Sequence, residues 1–308
     1  MMPDDLLERA AQEDLEALAQ LDANGFICGR DEDAGAFTER LRRLRCNISN
    51  MEQALTEQGT FTIEELTVSS QERIPQELFL EVANHCQELY SFQIDWVPGF
   101  FINPKASLLF GGCAYYFYPD FFALFIIRKT FRDRDRWLIY RRQELLAHEL
   151  CHVARIGLES MDYEETFAYQ TAASSFRRLA GGLFRRQHDS LMFLGAAMLI
   201  LAGQLIRTFW LPNLPTWPLW VAMAAVIGWL VTQHRTACRR LGDAMTSAQT
   251  VFGDQTRAVL FRCTDQEIRD LARLPHESVQ TWLKRQCEQR LRWKIICHRF
   301  LQPANTPL

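Results

Sequence analysis

Apolar positions recur at helical spacing near the start of the chain: Leu6, Leu7 and Ala10, then Leu15, Leu18 and Leu21, with charged residues between them. The pattern predicts amphipathic helices across 3–58, joined through NGFICGRDEDAG at 24–35, where three glycines break the period. It returns over 74–90, with Pro75 near the first turn. Three β-prone, aromatic runs follow: QIDWVPGFFI (93–102), SLLFGGCAYYFY (107–118) and FFALFIIRKTF (121–131). Pro98-Gly99, Gly111-Gly112 and Pro119-Asp120 interrupt or divide them. A helix is then expected from about Trp137 to Ile156, stopped by Gly157, and another from Asp162 or Tyr163 toward Ala180.

Two uncharged runs come next, 190–206 with Gln204 as its one strongly polar interior residue, and 214–231 with no charge at all. A membrane-spanning helix needs about 20 mostly apolar residues, and extending the runs to Leu211 and Thr232 reaches that length. Trp210, Trp217 and Trp220 flank the connecting turn, where an interfacial belt would place them. Arg177, Arg178, Arg185 and Arg186 precede the first run and Arg235, Arg239 and Arg240 follow the second, against Arg207 alone between them. The positive-inside rule then puts both termini in the cytoplasm, as an integral membrane protein with two spans. A hairpin buried in a soluble core is the competing reading. Four regions result: an N-terminal helical region 1–73, a core 74–180, a hairpin 190–232 and a C-terminal cytoplasmic helical region 233–308.

Composition narrows the class. Of 308 residues, 48% are hydrophobic and 23% charged, which excludes a disordered chain and one wholly embedded in lipid. A net charge of −3 removes any global footprint for nucleic acid. Nine cysteines without a CxxC pair argue against a disulfide framework and a cysteine-built zinc site, and fit a reducing compartment. The opening MMPDDLLERA has no apolar stretch of a cleaved secretory signal. In the tail, Thr264 and Glu267 form a capping-box pattern, and Pro275 separates two expected helices. Residues 280–299 carry Lys284, Arg285 and Arg290 with Glu288 as the one acid. Their amphipathic pattern (Trp282, Leu291, Trp293, Ile295, Ile296) favours core packing or anionic lipid over DNA reading.

The sharpest chemical signal is LLAHELCHVAR at 145–155, in which His148, Glu149 and His152 form H-E-x-x-H. On a helix the two imidazoles lie four residues apart on one face and can bind one metal together. Zn²⁺, one per chain, suits that pair, with Glu149 as the general base toward water. At this composition chance supplies the motif about 0.01 times. Cys151 between the ligands reads as a small buried residue, and His276 and His298 lack ligand spacing. Catalytic zinc also needs a third protein ligand. MDYEETFAYQTAA (161–173) offers Glu164 and Glu165.

Residues 145–173 resemble the gluzincin class of zinc metallopeptidases, in which H-E-x-x-H precedes a helix carrying a glutamate ligand in E-x-x-[AS]-[DN]. Glu165-Thr166-Phe167-Ala168 matches E-x-x-A, so the resemblance implies Glu165 as third ligand, with Glu164 as the alternative. Tyr169 stands where many of that class carry an acid that holds a ligand histidine. The absence of a histidine between His152 and His188 excludes the metzincin pattern. A zincin core followed by a hairpin is similar to membrane-anchored bacterial metallopeptidases of the heat-shock and prenyl-protein type. The resemblance implies an α+β fold: a mainly helical zincin-like core with a small sheet, plus a two-helix transmembrane hairpin. It also implies a protein or peptide substrate held along a sheet edge, for which 114–118 and 121–127 are the candidates. Tyr169, Tyr163 and Arg155 are candidate donors to a developing oxyanion. The expected function is therefore a membrane-anchored zinc endopeptidase acting on the cytoplasmic side. The alternative is a non-peptidase, membrane-attached regulator whose C-terminal helices bind a partner or DNA.

Overall fold

The computed structural model describes residues 2–103, 110–117 and 122–301, apart from the side chains of Gln187 and His276. Helices α1 (Asp4–Ala11), α2 (Leu15–Ala23) and α3 (Ala34–Gln58) open the chain. Asp14 caps α2 by accepting from the N–H groups of Glu16 and Ala17, and Asp33 caps α3 through Ala36 N–H. Gly59, in the left-handed region, ends α3. A small hairpin follows, β1 (Thr60–Ile63) with β2 (Leu66–Ser69), which the amphipathic pattern does not signal. Then come α4 (Gln76–Tyr90), β3 (Gly99–Ile102), β4 (Gly112–Phe117) and β5 (Phe122–Arg128). The sheet order is β3-β5-β4, with β3 parallel and β4 antiparallel to β5. Among the described residues β4 is therefore an edge strand and β5 is central. Residues 107–109, 118 and 121 of the expected strands lie outside the described residues.

The helix expected from Trp137 starts later. Residues 136–141 form a second short hairpin, β6 (Arg136–Trp137) with β7 (Tyr140–Arg141), before α5 (Arg142–Arg155). Leu138 takes a left-handed conformation at its turn, which ends any helical continuation there. Nor does Gly157 supply the left-handed stop; that residue is Glu159. Gly157 instead allows close packing: a Cβ there would lie 3.3 Å from Gly29 Cα, and its carbonyl accepts from Arg30 N–H at 3.2 Å. The next expected helix is broken into α6 (Glu164–Tyr169) and α7 (Ser175–Ala180).

Helices α8 (Gln187–Phe209) and α9 (Trp217–Phe252) pack side by side. At Gly203 the two come close, and a Cβ there would meet Leu219 Cδ1 at 2.3 Å. Their outer faces are bare: Leu191, Leu194, Leu199, Trp217 and Val221 are each more than half exposed. One segment, His188–Phe209, is long and apolar enough by itself to cross a membrane, with a mean hydropathy of 1.7. Helix α9 falls short of that measure, because Pro218, its tryptophans and then Gln233 and His234 dilute its apolar half. The boundary expected at 232/233 falls inside α9, which runs unbroken for 36 residues.

The chain ends with α10 (Thr256–Phe261), α11 (Asp265–Leu271), α12 (Val279–Gln289) and α13 (Leu291–Phe300). Thr264 and Glu267 form the capping box that their spacing indicated. This region shares one apolar core with 74–168: Phe261, Ile268, Trp293 and Ile296 pack in the same cluster as Phe125, Leu146 and Leu150. A buried ion pair ties the two ends together, with Arg262 Nε donating to Asp22 at 2.7 Å, and a second one within the C-terminal region has Arg292 Nη2 donating to Glu267 at 2.9 Å. Cys287 and Cys297 are bonded, whereas Cys28, Cys46, Cys86, Cys113, Cys151, Cys238 and Cys263 are free thiols. The nine cysteines are thus not uniformly free. The whole is a mostly helical α+β fold with small sheets.

Candidate metal centre

Helix α5 sets the site through its two faces. Leu146, Leu150, Val153 and Ala154 are buried in the core, which turns His148, Glu149 and His152 toward the opposite, partly open side. Cys151 follows the core face and is fully buried, and burial pushes its thiol well above the ordinary value. It does not join the histidines.

Helix α6 brings the carboxylates. His148 Nε2 and His152 Nε2 lie 3.2 Å apart. Glu165 completes a triangle, with Oε2 3.4 Å from His148 Nε2 and Oε1 3.6 Å from His152 Nε2. The three side chains retain 16%, 15% and 27% exposure, so the cluster is open on one side. No fourth histidine, cysteine or carboxylate joins them among the described residues. Burial alone would raise the Glu165 carboxyl, but the two histidines beside it bring it below the usual value. Burial would lower His152, and the surrounding carboxylates, Glu164 first, carry it up to about 9 instead.

Glu164, adjacent in sequence, points to the other side of the same ring. Its Oε1 is 3.2 Å from His152 Nδ1, and its Oε2 accepts from Arg155 Nε at 2.8 Å. It therefore holds the imidazole from behind while Glu165 faces the shared space in front. The spacing had offered Glu164 only as an alternative ligand. This contact behind His152 was not visible in the sequence. Arg155 was a candidate oxyanion donor, but its guanidinium is fully buried. It donates to Phe261 O, to Cys263 O at 3.5 Å and to Ser160 Oγ at 2.8 Å, pinning α5 to the C-terminal helices.

Glu149 sits next to the cluster against the sheet edge, where Ala114 N–H on β4 donates to its Oε2 at 2.9 Å. Cys113 on the same strand is pushed up to about 12 by burial and by the Glu149 charge, which leaves it a neutral thiol. Tyr169 packs edge-on against His148 with ring centroids 4.6 Å apart. Its hydroxyl is raised above the ordinary value by burial and then by Glu165. Of the three candidate donors, Tyr169 alone borders the cluster; Tyr163 is buried and lines a separate cavity at the base of α8 and α9. Near the C-terminus, His298 Nε2 lies 3.1 Å from Glu16.

Two imidazoles, two carboxylates and an edge strand thus meet at one partly exposed site. No family model, no curated protein and no solved structure matches this chain.

Proposed function

We propose that the chain is a membrane-anchored, zinc-dependent endopeptidase with a zincin-like core and its active site on the cytoplasmic side. The observation that carries this reading is the His148–His152–Glu165 triangle with Glu149 beside it and no fourth protein donor among the described residues. Structural zinc sites fill four positions with protein ligands, whereas catalytic ones use three and leave one open. Ligands about 2.0–2.1 Å from a tetrahedral zinc stand about 3.3 Å from one another. The separations here, 3.2, 3.4 and 3.6 Å, fit that edge length.

When bound, zinc supplies a Lewis acid toward the scissile carbonyl and makes a water acidic enough to attack near neutral pH. The remaining steps belong to the chain's own groups. Glu149 takes the water proton and returns it to the leaving amine. Ala114 N–H fixes one oxygen of that carboxylate and leaves the other free to act. Glu164 keeps His152 in the orientation that presents Nε2 to the metal. An extended peptide pairs with β4, the edge strand beside Glu149, in preference to the central β5. Tyr169 is the candidate donor to the developing oxyanion.

The bare apolar faces of α8 and α9 support insertion as a two-span hairpin, and the flanking arginines support a cytoplasmic orientation for both ends. The regulator reading has less support. A base beside a structural metal serves no purpose, and several basic groups of the tail face acids of the chain: Arg292 with Glu267, Lys294 with Glu13, Arg299 with Asp22.

The test uses the full chain in detergent. Metal analysis should find about one zinc per chain, and unfolded protein substrates should be cleaved in a chelator-sensitive way. Full zinc content in a His148→Ala/His152→Ala double variant, or chelator-resistant cleavage, would overturn the proposal.

A further inference from the structure

At the base of the hairpin, where α8 begins and the exposed part of α9 ends, lies a cavity of about 110 Å³. Asp162, Tyr163, Arg185, Arg186, Trp229 and Arg240 are among its walls. One ordered water needs roughly 10–15 Å³ by the same measure, so the space holds a phosphate-sized group. Along the stretch of α9 that lines it, Leu230, His234 and Ala237 are buried, whereas Trp220, Val221 and Ile227 nearer the connecting turn are exposed. The cavity therefore sits at the level where the hairpin leaves the protein body.

Its acids are matched from within. Asp162 accepts from Arg186 Nη2 at 2.5 Å and from Arg269 Nη1 at 2.9 Å. Asp189 accepts from the backbone N–H groups of Arg185 and Arg186, each at 3.0 Å, and His188 Nε2 lies 3.4 Å from it. Beyond Arg186 the donors are not matched. Arg185 Nε is buried without a partner, and its Nη1 reaches only the Asp162 carbonyl at 3.4 Å. Among the described residues Arg240 has no hydrogen bond or ion pair, and the Trp229 indole N–H has no hydrogen bond. Arginine forks and an indole N–H around a compact space recognise a tetrahedral oxyanion.

We propose that this cavity binds the phosphate of an anionic phospholipid headgroup, seating the hairpin at the cytoplasmic surface. Basic pockets between helices at that level take such headgroups, and a tryptophan there shares the interface with them. The inference rests on the membrane reading of α8 and α9. A soluble phosphate would offer the same oxygens, and the test separates the two sources.

The full chain in detergent is mixed with equal amounts of phosphatidylglycerol and phosphatidylcholine, and bound lipid is read by native mass spectrometry. Wild type should retain phosphatidylglycerol preferentially, and Arg240→Gln should reduce that preference about five-fold. Trp229→Phe, which keeps the ring and loses the N–H, should reduce it as well. Arg239→Gln, exposed and outside the cavity walls, should leave it unchanged. Equal loss in the Arg239 and Arg240 variants would overturn the site in favour of diffuse surface attraction. Thermal stabilisation by inorganic phosphate that Arg240→Gln abolishes, without lipid preference, would assign the cavity to a soluble anion and overturn the lipid. Flotation with phosphatidylcholine vesicles reads membrane insertion separately. Failure to float overturns the membrane reading, while the phosphate titration still reads the cavity.

Discussion

Glu164 and His152 form a pair in which the carboxylate stands 3.2 Å from the ring nitrogen that faces away from the candidate metal position. A carboxylate there fixes the tautomer, so that Nδ1 carries the proton and Nε2 offers its lone pair. Arg155, itself anchored to Phe261 O, holds the second Glu164 oxygen. Glu164→Gln should therefore weaken zinc affinity about 10–100-fold, the usual cost of losing such a partner. Glu165→Gln, which removes a ligand, should cost more. Chelator competition on the two purified variants measures both, and equal affinities in wild type and Glu164→Gln would remove the orienting role.

Glu149→Gln separates proton transfer from metal binding. The amide oxygen can still accept from Ala114 N–H, so β4 and α5 keep their contact. What is lost is the basic carboxylate, which contributes about 10²–10⁴ to the rate in such roles. The variant should keep its zinc and its melting temperature and lose peptidase activity by at least that range. Wild-type turnover in Glu149→Gln would exclude it as the base.

The pairing of His148 and His152 was legible in the sequence, for a physical reason. The i, i+4 histidines and their intervening apolar residues encode a helix with one buried and one ligating face, which is local information. The choice of Glu165 over Glu164 was only half legible, because adjacent residues at the start of a short helix point in different directions that depend on how α6 meets α5. Arg155 was misjudged, since its partners Phe261 and Cys263 are more than a hundred residues away. The β1–β2 and β6–β7 hairpins escaped detection because strands of four and two residues are too short to establish a period. At 232/233 the hydropathy changes while the helical geometry does not, so that boundary coincides with no helix end.

Glu267 gives the fold an acid limit. Burial would raise its carboxyl, but the Arg292 guanidinium outweighs this and holds it below its ordinary value of 4.5. Asp265 is likewise held below 3.8, against burial, by Ser160 and by the N–H groups of Asp162 and Met161. A carboxyl depressed in the folded state contributes stability that is complete above its unfolded value and is lost as pH falls through the folded one. The chain should thus keep its melting temperature down to about pH 4.5 and lose it steeply below. Glu267→Gln should destabilise at pH 7 by about 3–5 kcal/mol, because it leaves Arg292 buried and unpaired. It should also flatten the acid limb of a melting-temperature series.

Orientation in the membrane has its own measurement. A cysteine placed at Asn213, between α8 and α9, should react with an impermeant maleimide added outside intact cells. Cysteines at Asp189 and Gln233, at the other end of the pair, should not. Labelling at the two flanks would invert the topology and place His148 and His152 outside the cytoplasm.

Gly181 lies between that hairpin and the candidate metal centre. A Cβ at this position would lie 2.1 Å from Tyr169 Cγ, far inside van der Waals contact, and the ring in turn packs on His148. The segment carrying Gly181 has little room to lift away. His234 on α9 lies against it, with Nδ1 3.0 Å from Gly182 O and Nε2 2.5 Å from Leu179 O. A methyl group must then displace the Tyr169 ring that packs on His148, and overpacking of this kind costs about 1–3 kcal/mol. If that strain falls on the metal centre, Gly181→Ala lowers zinc affinity about 5–150-fold without touching a ligand. Gly228→Ala, in open space on α9, is the control and should change nothing. Adding Tyr169→Leu to Gly181→Ala should restore zinc binding by removing the displaced ring, a coupling that a double-mutant cycle quantifies. Additive losses in that cycle would show that Gly181 acts on the fold by a route other than Tyr169 and His148.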